Sequence, residues 1–484
     1  MAQIPASIML STGKVTRLQP FADELAAGWS LHLQRDRMPA GSKGSDWEMP
    51  SILRLWLYAI HARHRPDAEY HPYFRHCPLF PDTALFWSEE ELGRLEGSSL
   101  HAAVQRARLH ARTDFLRYVR PLTAADPRHF PGDIFTLRAL LWARSTCTSR
   151  AFPMWLADHC RDEHSCATFV LCPLLDVFNH RRGAPIEWRR AEAQGREVVQ
   201  FRLPRSSEAI QAGREVWNDY GPKSNEELLL SFGFCVEGNQ HEEMQLLLGV
   251  EGPLDELRAC ADRLRTAGIP LALSRRFRLT VGPFRLGIAE LSEAGGDAAS
   301  SLRSLLLAVS LCLADEAYSL GGQQGLPKAR LAGLLARLLE RLGCCARRVA
   351  AGGAGLEVRH ARFSHIYLEG QKRLLAAALS SVNGMREVEE PAATEQSNIG
   401  GPTDETAAGR CSCEAPPVEP LLLDLAFLEE EQGGDGQDTE TEGEEEETKK
   451  EDREAEDRDG IERCRDFCGS GEVGGGAPLG ARKK

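Results

Sequence analysis

Two short motifs, about forty residues apart, hold the residue types in this chain that could do chemistry. The first is Cys172-Pro-Leu-Leu-Asp-Val-Phe-Asn-His180, which places a carboxylate, an amide and an imidazole close together. The second runs from Gly213 to Phe234 and contains Trp217-Asn-Asp-Tyr-Gly221. Side chains of these types can bind a ligand or orient a reacting group. We expect the two motifs to meet in space and to form an active site.

The sequence also predicts a strand between the two motifs and a helix inside the second. The alternating run Val198–Leu203 predicts a half-buried strand between them. Ser224-Asn-Glu-Glu227 is a capping box with leucines after it, which predicts a helix start just beyond Tyr220. Tyr220 is therefore expected at the end of a strand, at a sharp turn into a helix. Such a position can hold a side chain rigidly over a pocket.

Each candidate residue also has an ordinary structural interpretation. Asn179 and His180 could form a turn with a satisfied core histidine, and Tyr220 could be a strand-end aromatic residue. Asp176 could bond backbone groups in a turn, and Arg150 could belong to a surface ion pair. The order and spacing of the residues, with the capped helix following them, favour the enzyme hypothesis.

The charge of the chain is unevenly distributed. The formal net charge is −13. Residues 386–484 hold 29 acidic and 11 basic side chains, a net charge of −18, which leaves +5 on residues 1–385. No basic stripe with interleaved aromatic residues indicates nucleic-acid binding. No apolar run is long enough to suggest a membrane span.

The cysteines do not indicate a disulfide framework or a metal site. Fourteen cysteines are scattered along the chain and no secretory signal opens it, which favours a reducing, intracellular compartment. The segment Asp158–Cys166 holds four candidate zinc ligands within a short stretch, namely His159, Cys160, His164 and Cys166. A tetrahedral site normally uses two separated ligand pairs, so we interpret this segment as a polar loop and predict no metal.

Helical patterns occupy most of the remaining body. Residues 51–63 and a capped segment at Ser88–Glu91 predict helices, with a Pro-, His- and Tyr-rich loop between them. From about 253 onward the pattern becomes helix after helix. Leucines from 331 to 342 form an apolar stripe, with Pro327 near its start and Gly343 past its end.

The acidic tail is expected to be disordered. Residues 386–484 are rich in Gly, Glu and Asp and cannot bury enough apolar surface to offset the cost of ordering. The one exception is the apolar segment Pro420–Leu428. It could dock on a partner or on the basic body of this protein, or it could be an unused hydrophobic island.

Taken together, the motifs resemble those of the SET-domain methyltransferases. The similarity is to the branch typified by the Rubisco large-subunit lysine methyltransferase and the actin-histidine methyltransferase. The stretches that carry it are Ile4–Leu10, Trp142–Phe152, Asp176–His180, Glu215–Gly221, Lys223–Leu228 and Gly370–Leu375.

This resemblance implies an α+β architecture. A β-rich SET domain would occupy 1–240, split by a helical insert at about 46–130. An all-helical substrate-binding domain would follow at 241–385, and the disordered acidic tail would occupy 386–484. The zinc-binding cysteine clusters that flank many histone-directed SET domains are absent from the sequence, which agrees with the non-histone branch.

The resemblance also implies a reaction and its residues. S-adenosylmethionine would be the cofactor, with Asn179, His180, Arg150 and Asp176 among the residues that hold it and Phe234 beside its adenine. Tyr220 matches the catalytic tyrosine. Its hydroxyl would orient the attacking nitrogen and act by position and electrostatics. The substrate would be a lysine side chain of a non-histone protein.

One family feature is missing from the sequence. SET domains begin with strands that carry a Gly-x-Gly turn close to the cofactor, and nothing before Ile4 supplies it. The sequence could be incomplete at its N-terminus, which would make residues 1–20 part of the domain and not a transit peptide. Alternatively, the chain could be a catalytically silent adaptor.

Three hypotheses therefore follow. The first is a protein-lysine N-methyltransferase, the second a protein-histidine N-methyltransferase of the same fold, and the third the silent adaptor. We expect a soluble monomer that binds neither nucleic acid nor membrane. Cytoplasm, nucleus and chloroplast all fit this branch.

Overall fold

In this computed structural model the described residues all lie within the unit Met1–Phe427. They are 2–35, 49–156, 169–204, 207, 210–251, 253–274, 278–292, 300–313, 326–351, 357–384 and 421–425. None of the helices in these ranges is long and apolar enough to cross a membrane.

The first sheet confirms the strand predicted between the two motifs. It has the order β1-β6-β5 and is antiparallel throughout. The hairpin between β5 and β6 turns at Gln194-Gly195, where both residues have positive φ, as two-residue hairpins that match strand twist require. The strands are β1 Ala2–Pro5, β5 Glu187–Ala193 and β6 Arg196–Arg202.

The second sheet brackets a long helical segment. It has the order β2-β4-β3, with β2 at Leu10–Ser11, β3 at Ala151–Pro153 and β4 at Phe169–Leu171. The insert predicted at about 46–130 is part of this segment. Its helices are α1 Thr12–Val15, α2 Phe21–Arg35, α3 Ser51–His64, α4 His71–His76, α5 Glu89–Gly93, α6 Ser99–Asp114, α7 Arg120–Ala125 and α8 Leu137–Thr148, with a π-helical turn at Phe115–Val119.

Helix α3 is the centre of this helical segment because most of its side chains are buried. Helix α4 lies in the stretch that the sequence indicated as a loop. Pro72 stands in its first turn, where the missing N–H costs nothing. The capping box at Ser88 and Glu91 is confirmed at the start of α5.

The region after residue 240 is not all-helical, so that prediction was wrong. The antiparallel strands β7 Glu243–Glu251, β8 Leu271–Ser274 and β9 Arg278–Gly287 pair in the order β7-β9-β8. Strand β7 contains Leu246-Leu-Leu, and a short apolar run does not distinguish a buried strand from a helix. Helix α9, Asn225–Ser231, precedes this region. The helices within it are α10 Leu254–Thr266, α11 Ile288–Ser292, α12 Ser300–Cys312, α13 Leu326–Ala350 and α14 Val358–Gly384.

Helix α13 continues through Gly343, where the sequence predicted its end. The buried stripe that begins at Leu331 extends past this glycine to Cys345 and Val349. Packing of these later residues outweighs the cost of a glycine in a helix interior, which is about 1 kcal/mol.

Part of the predicted disordered tail is ordered against the body. Leu421–Leu425 forms β10, which adds to the edge of β7 in parallel, with Leu421 opposite Leu246 and Leu425 opposite Val250. The apolar segment of the tail therefore docks on this protein's own body. The rest of 386–484 lies outside the described residues.

One apolar core crosses the predicted domain boundary at 240. It joins Trp87 and Leu100 of the helical segment to Leu246 of β7 and Tyr367 of α14. Within this core the Tyr367 hydroxyl donates to Glu226 Oε2 at 3.0 Å, and Gln371 Nε2 donates to Glu242 Oε2 at 3.1 Å. Helix α14 is thus fixed to the first part of the chain by buried polar contacts as well as by packing.

The helix approaches Glu242 so closely that any side chain at position 370 would force the Glu242 carboxyl group to move. A Cβ built on Gly370 would lie 2.6 Å from Glu242 Oε1. Burial raises the pKa of Glu226 to about 7, against hydrogen bonds from Ser99 and Tyr367. Burial also raises the pKa of Glu242 to about 7. Both side chains are therefore partly protonated near neutral pH.

These two carboxyl groups predict how stability depends on pH. Each has a pKa in the folded chain that lies above the ordinary glutamate value of 4.5. Their contribution to stability is therefore complete below about pH 4.5 and is lost as the pH rises through about 7. We expect Glu226→Gln to reduce the fall in unfolding free energy between pH 5 and pH 8 by about 1 kcal/mol or more, measured by urea unfolding at both values.

The matched control is Glu227→Gln on the same helix, where the carboxylate pairs with Lys223 near the surface. That variant should keep the pH dependence of the wild type. An unchanged pH dependence in Glu226→Gln would contradict the assignment of Glu226 as a buried group that titrates near neutrality.

Candidate active site

The two motifs meet through a backbone crossing, as predicted. His180 and Asn218 form a parallel bridge between segments that are otherwise irregular. The Asn218 N–H donates to the Asn179 carbonyl oxygen at 2.8 Å, and the Arg181 N–H donates to the Asn218 carbonyl oxygen at 2.8 Å. The Gly183 N–H donates to Asp219 Oδ2 at 2.9 Å. These bonds fix His180 beside the residues that lead to Tyr220.

Asn218 is a residue of the crossing that the sequence analysis did not single out. It is almost fully buried, and its Oδ1 accepts a hydrogen bond from Trp188 Nε1 at 2.8 Å. Its Nδ2 is buried and has no hydrogen-bond partner among the described residues. The only sequence signal for it was its position next to Asp219 and Tyr220 in the second motif.

Tyr220 is held at both its backbone and its hydroxyl group. Its N–H donates to His180 Nδ1 at 3.0 Å, and its hydroxyl donates to the Phe178 carbonyl oxygen at 2.9 Å. Tyr220 follows the bridge residue Asn218 by two positions and precedes α9, so it lies before a helix as expected, but an isolated bridge and not a strand leads to it. The Ser224 side chain accepts from the Glu227 N–H, which confirms the predicted helix start.

The protonation states of Tyr220 and His180 follow from burial. Burial raises the pKa of Tyr220 to about 12, and the Arg150 and Asp176 charges act on it in opposite directions. Burial lowers the pKa of His180, with Arg182 and Lys223 adding to the effect and Asp219 opposing it. At neutral pH Tyr220 is a protonated donor, and His180 is a neutral ring that accepts at Nδ1.

Three aromatic rings gather around this tyrosine. The Tyr220 ring centroid lies 5.0 Å from that of His180, 5.1 Å from that of Phe232 and 6.3 Å from that of Phe234. His180 and Phe234 lie 5.7 Å apart. Such a cluster offers aromatic faces to a flat ring or a cation. The structure therefore brings the predicted residues His180, Tyr220 and Phe234 together.

Gly233 allows the two phenylalanines to take these positions. Its φ is +80°, and a Cβ built on it would lie 2.6 Å from the carbonyl carbon of Asp82. A side chain at this position would clash with the backbone of the helical segment, so glycine is required.

Arg150 and Asp176, two of the predicted cofactor-binding residues, contact each other. Arg150 Nη1 lies 3.0 Å from Asp176 Oδ2, and the Asp176 side chain is only 1% exposed. The Tyr73 hydroxyl donates to the same oxygen at 2.8 Å. Asp176 Oδ1 is buried without a hydrogen-bond partner among the described residues. Tyr73 was missed because it lies 103 positions away along the chain, in the stretch interpreted as a loop.

Asn179 is the predicted residue with the most exposed setting. Its Nδ2 donates to Glu215 Oε1 at 2.7 Å, in an exposed contact across the two motifs. Its carbonyl oxygen accepts the hydrogen bond from the Asn218 N–H. Contact between the Asn179 amide and a cofactor stays a prediction.

The donor and acceptor set suits a cationic adenine cofactor. Asp176 Oδ1 is an acceptor and Asn218 Nδ2 is a donor, and neither has a hydrogen-bond partner within the part of the chain that the structure describes. The rings of His180 and Phe234 provide apolar faces. The described residues contain no cluster of three or more metal-ligating side chains. His159, Cys160, His164 and Cys166 lie outside the described residues.

Sequence comparison finds methyltransferases. The chain is 31% identical over 206 residues to the chloroplastic ribulose-1,5-bisphosphate carboxylase/oxygenase large subunit N-methyltransferase of Pisum sativum, covering 41% of this chain and 40% of that protein. It is 28% identical over 221 residues to the actin-histidine N-methyltransferase of Rattus norvegicus, covering 45% and 35%. The chain thus matches well under two thirds of the length of these relatives. No protein-family model matches it.

Structural comparison gives the fold. The SET domain of LSMT bound to lysine and AdoHcy aligns with a TM-score of 0.51 at 20% identity, covering 79% of this chain and 80% of that one. The chain therefore has the SET-domain methyltransferase fold, with mixed helices and strands. The resemblance to the Rubisco large-subunit methyltransferase branch, inferred from the motifs, is confirmed.

The Arg150–Asp176 pair predicts a large cost for one substitution. Asp176→Asn removes the carboxylate that neutralises a largely buried guanidinium, and we expect the unfolding free energy to fall by about 3 kcal/mol. Glu90→Gln is the control, because Glu90 pairs with Arg94 one helical turn away and is 61% exposed. The control should cost at most about 0.5 kcal/mol.

Urea unfolding of both variants measures the difference. Equal, small losses in the two variants would contradict a buried, structurally coupled pair.

Proposed function

We propose that this protein is an S-adenosylmethionine-dependent protein N-methyltransferase whose target is a lysine side chain of a non-histone protein. The observation that carries the proposal is the gathering of Tyr220, His180 and Phe234 at the crossing, next to the buried Arg150–Asp176 pair. The methyltransferase relatives and the shared fold support the reaction class.

S-adenosylmethionine, when bound, supplies a methyl group on a positively charged sulfur. His180 and Phe234 would contact its flat adenine, and Asp176 would favour its positive charge. Arg150 keeps Asp176 from being an isolated buried charge, which would be unfavourable. Asn179, whose side chain is exposed, would contact the cofactor at the edge of the site.

Tyr220 is suited to position the nucleophile, and the lysine amine must be neutral to attack. A free lysine has a pKa of about 10.4, and burial against apolar and aromatic side chains lowers that value. Tyr220 is protonated at neutral pH and donates its single hydroxyl proton to the Phe178 carbonyl oxygen. Its oxygen can therefore accept a hydrogen bond from the amine, and the residue acts as a fixed dipole and not as a base. Its two anchoring bonds, to His180 and Phe178, keep that dipole in place.

A histidine target is the second candidate. The observation in its favour is the similarity to the actin-histidine N-methyltransferase, at an identity close to that of the ribulose-1,5-bisphosphate carboxylase/oxygenase large subunit N-methyltransferase. An imidazole is already largely neutral at pH 7, so it needs less help to attack than lysine does.

The partner of the site is a protein, and the compartment is a reducing one. No disulfide joins the cysteines whose side chains are described, namely Cys77, Cys147, Cys172, Cys235, Cys260, Cys312, Cys344 and Cys345. A reducing environment keeps such thiols free. We propose a monomer that acts on its substrate protein without nucleic acid or membrane.

The central prediction concerns Tyr220. With methyl-labelled S-adenosylmethionine and a protein extract from a reducing compartment, the wild-type chain should transfer label. Tyr220→Phe should lower kcat on the order of 10²-fold, because one preorganised hydroxyl dipole is lost. Tyr118→Phe, a buried tyrosine of the helical segment away from the crossing, should keep most of the activity.

Failure of the wild type to transfer label to any protein would favour the silent adaptor. Equal losses in the two variants would mean that Tyr220 has no special role.

A second prediction concerns the product. Complete hydrolysis of the labelled protein, followed by amino-acid analysis, should give methyl-lysine. Recovery of the label as methyl-histidine would overturn the lysine assignment while keeping the methyltransferase proposal.

A further inference from the structure

Tyr73 reaches the candidate site from outside both motifs. It lies on α4, in the helical segment, and its hydroxyl donates to Asp176 Oδ2 at 2.8 Å. Burial raises the pKa of Tyr73 well above its ordinary value, and the neighbouring Asp176 charge adds to that effect. Tyr73 is therefore a permanent donor in the physiological range and cannot serve as a base.

Helix α4 is held firmly enough to fix this donor. At its start, His71 Nδ1 lies 2.8 Å from the Ala62 carbonyl oxygen. At its end, Arg63 Nη1 donates to the carbonyl oxygens of Phe74 at 2.7 Å and Cys77 at 3.0 Å. Arg63 also lies over the Trp142 ring at 4.8 Å. Both ends of the short helix are thus attached to α3, so Tyr73 has little freedom to move.

The contact uses one carboxylate oxygen and leaves the other available. Asp176 Oδ2 accepts from both Tyr73 and Arg150, and these two bonds fix the rotation of the carboxylate group. Oδ1 is buried without a partner among the described residues. A buried anionic oxygen with no donor is unfavourable unless a ligand supplies one.

We propose that Tyr73 is a positioning residue of the methyl-transfer site, which turns the Asp176 carboxylate so that its Oδ1 accepts from the cationic methyl donor. The inference rests on the proposed function, because it needs S-adenosylmethionine to bind near Asp176. It assigns to the helical segment a part in cofactor binding that acts through Asp176. That segment then does more than support the fold.

The test is a calorimetric titration of the full chain with S-adenosylmethionine. Tyr73→Phe should raise Kd about tenfold, since a hydrogen bond to a charged group is lost. The matched control is Tyr70→Phe, which removes a buried hydroxyl beside the same helix, one that donates to the carbonyl oxygens of Ile8 and Met9. Tyr70→Phe should leave Kd within about twofold of the wild type, even if both variants melt at lower temperatures.

A double-mutant cycle separates positioning from general loosening of the fold. In an Asp176→Asn background, Tyr73→Phe should change Kd by less than about twofold, because the two residues act through one bond. Additive losses, equal losses in Tyr73→Phe and Tyr70→Phe, or an unchanged Kd in Tyr73→Phe would each overturn the inference while the proposed function stands. A wild-type chain that does not bind S-adenosylmethionine would overturn both.

Discussion

The backbone crossing at His180 and Asn218 is the constraint on which the candidate site depends. Its two hydrogen bonds, each 2.8 Å long, join segments that are nearly forty residues apart and belong to no sheet. They hold the backbone of His180 beside the segment that leads to Tyr220. The hydrogen bond from the Tyr220 N–H to His180 Nδ1 then fixes the side chain of His180 against the backbone of the second segment.

Burial of charge explains much of what surrounds this crossing. Arg150 and Asp176 are tolerated inside the protein because they neutralise each other and because Tyr73 bonds the same carboxylate. Glu226 and Glu242 have no cationic partner among their described contacts, and their pKa values rise to about 7 instead. The Arg150–Asp176 pair keeps a carboxylate inside the protein. Glu226 and Glu242, by contrast, are partly neutral and join α14 to the rest of the chain.

The sequence allowed accurate prediction where the controlling interactions are local. The helix start at Ser224, the hairpin strand near Val198 and the meeting of the two motifs all follow from capping, alternation or a known motif order. Non-local packing decided the rest. Strand β7 was missed in a region predicted to be all-helical, because its pairing with β9 cannot be read from its own residues. Gly343 did not end α13, because the packing of later residues outweighed a weak local preference. The Tyr73–Asp176 contact spans 103 positions and left no periodic signal.

The most direct test of the central claim is hydrogen–deuterium exchange of the full chain with and without S-adenosylhomocysteine, the product form of the proposed cofactor. If the crossing builds the methyl-donor site, bound ligand should slow exchange in peptides covering 172–183 and 213–234 together. Exchange in β9, which lies in the β7-β9-β8 sheet, should be unchanged. Protection of neither motif at saturating ligand, or protection confined to the β7–β9 sheet, would contradict the account.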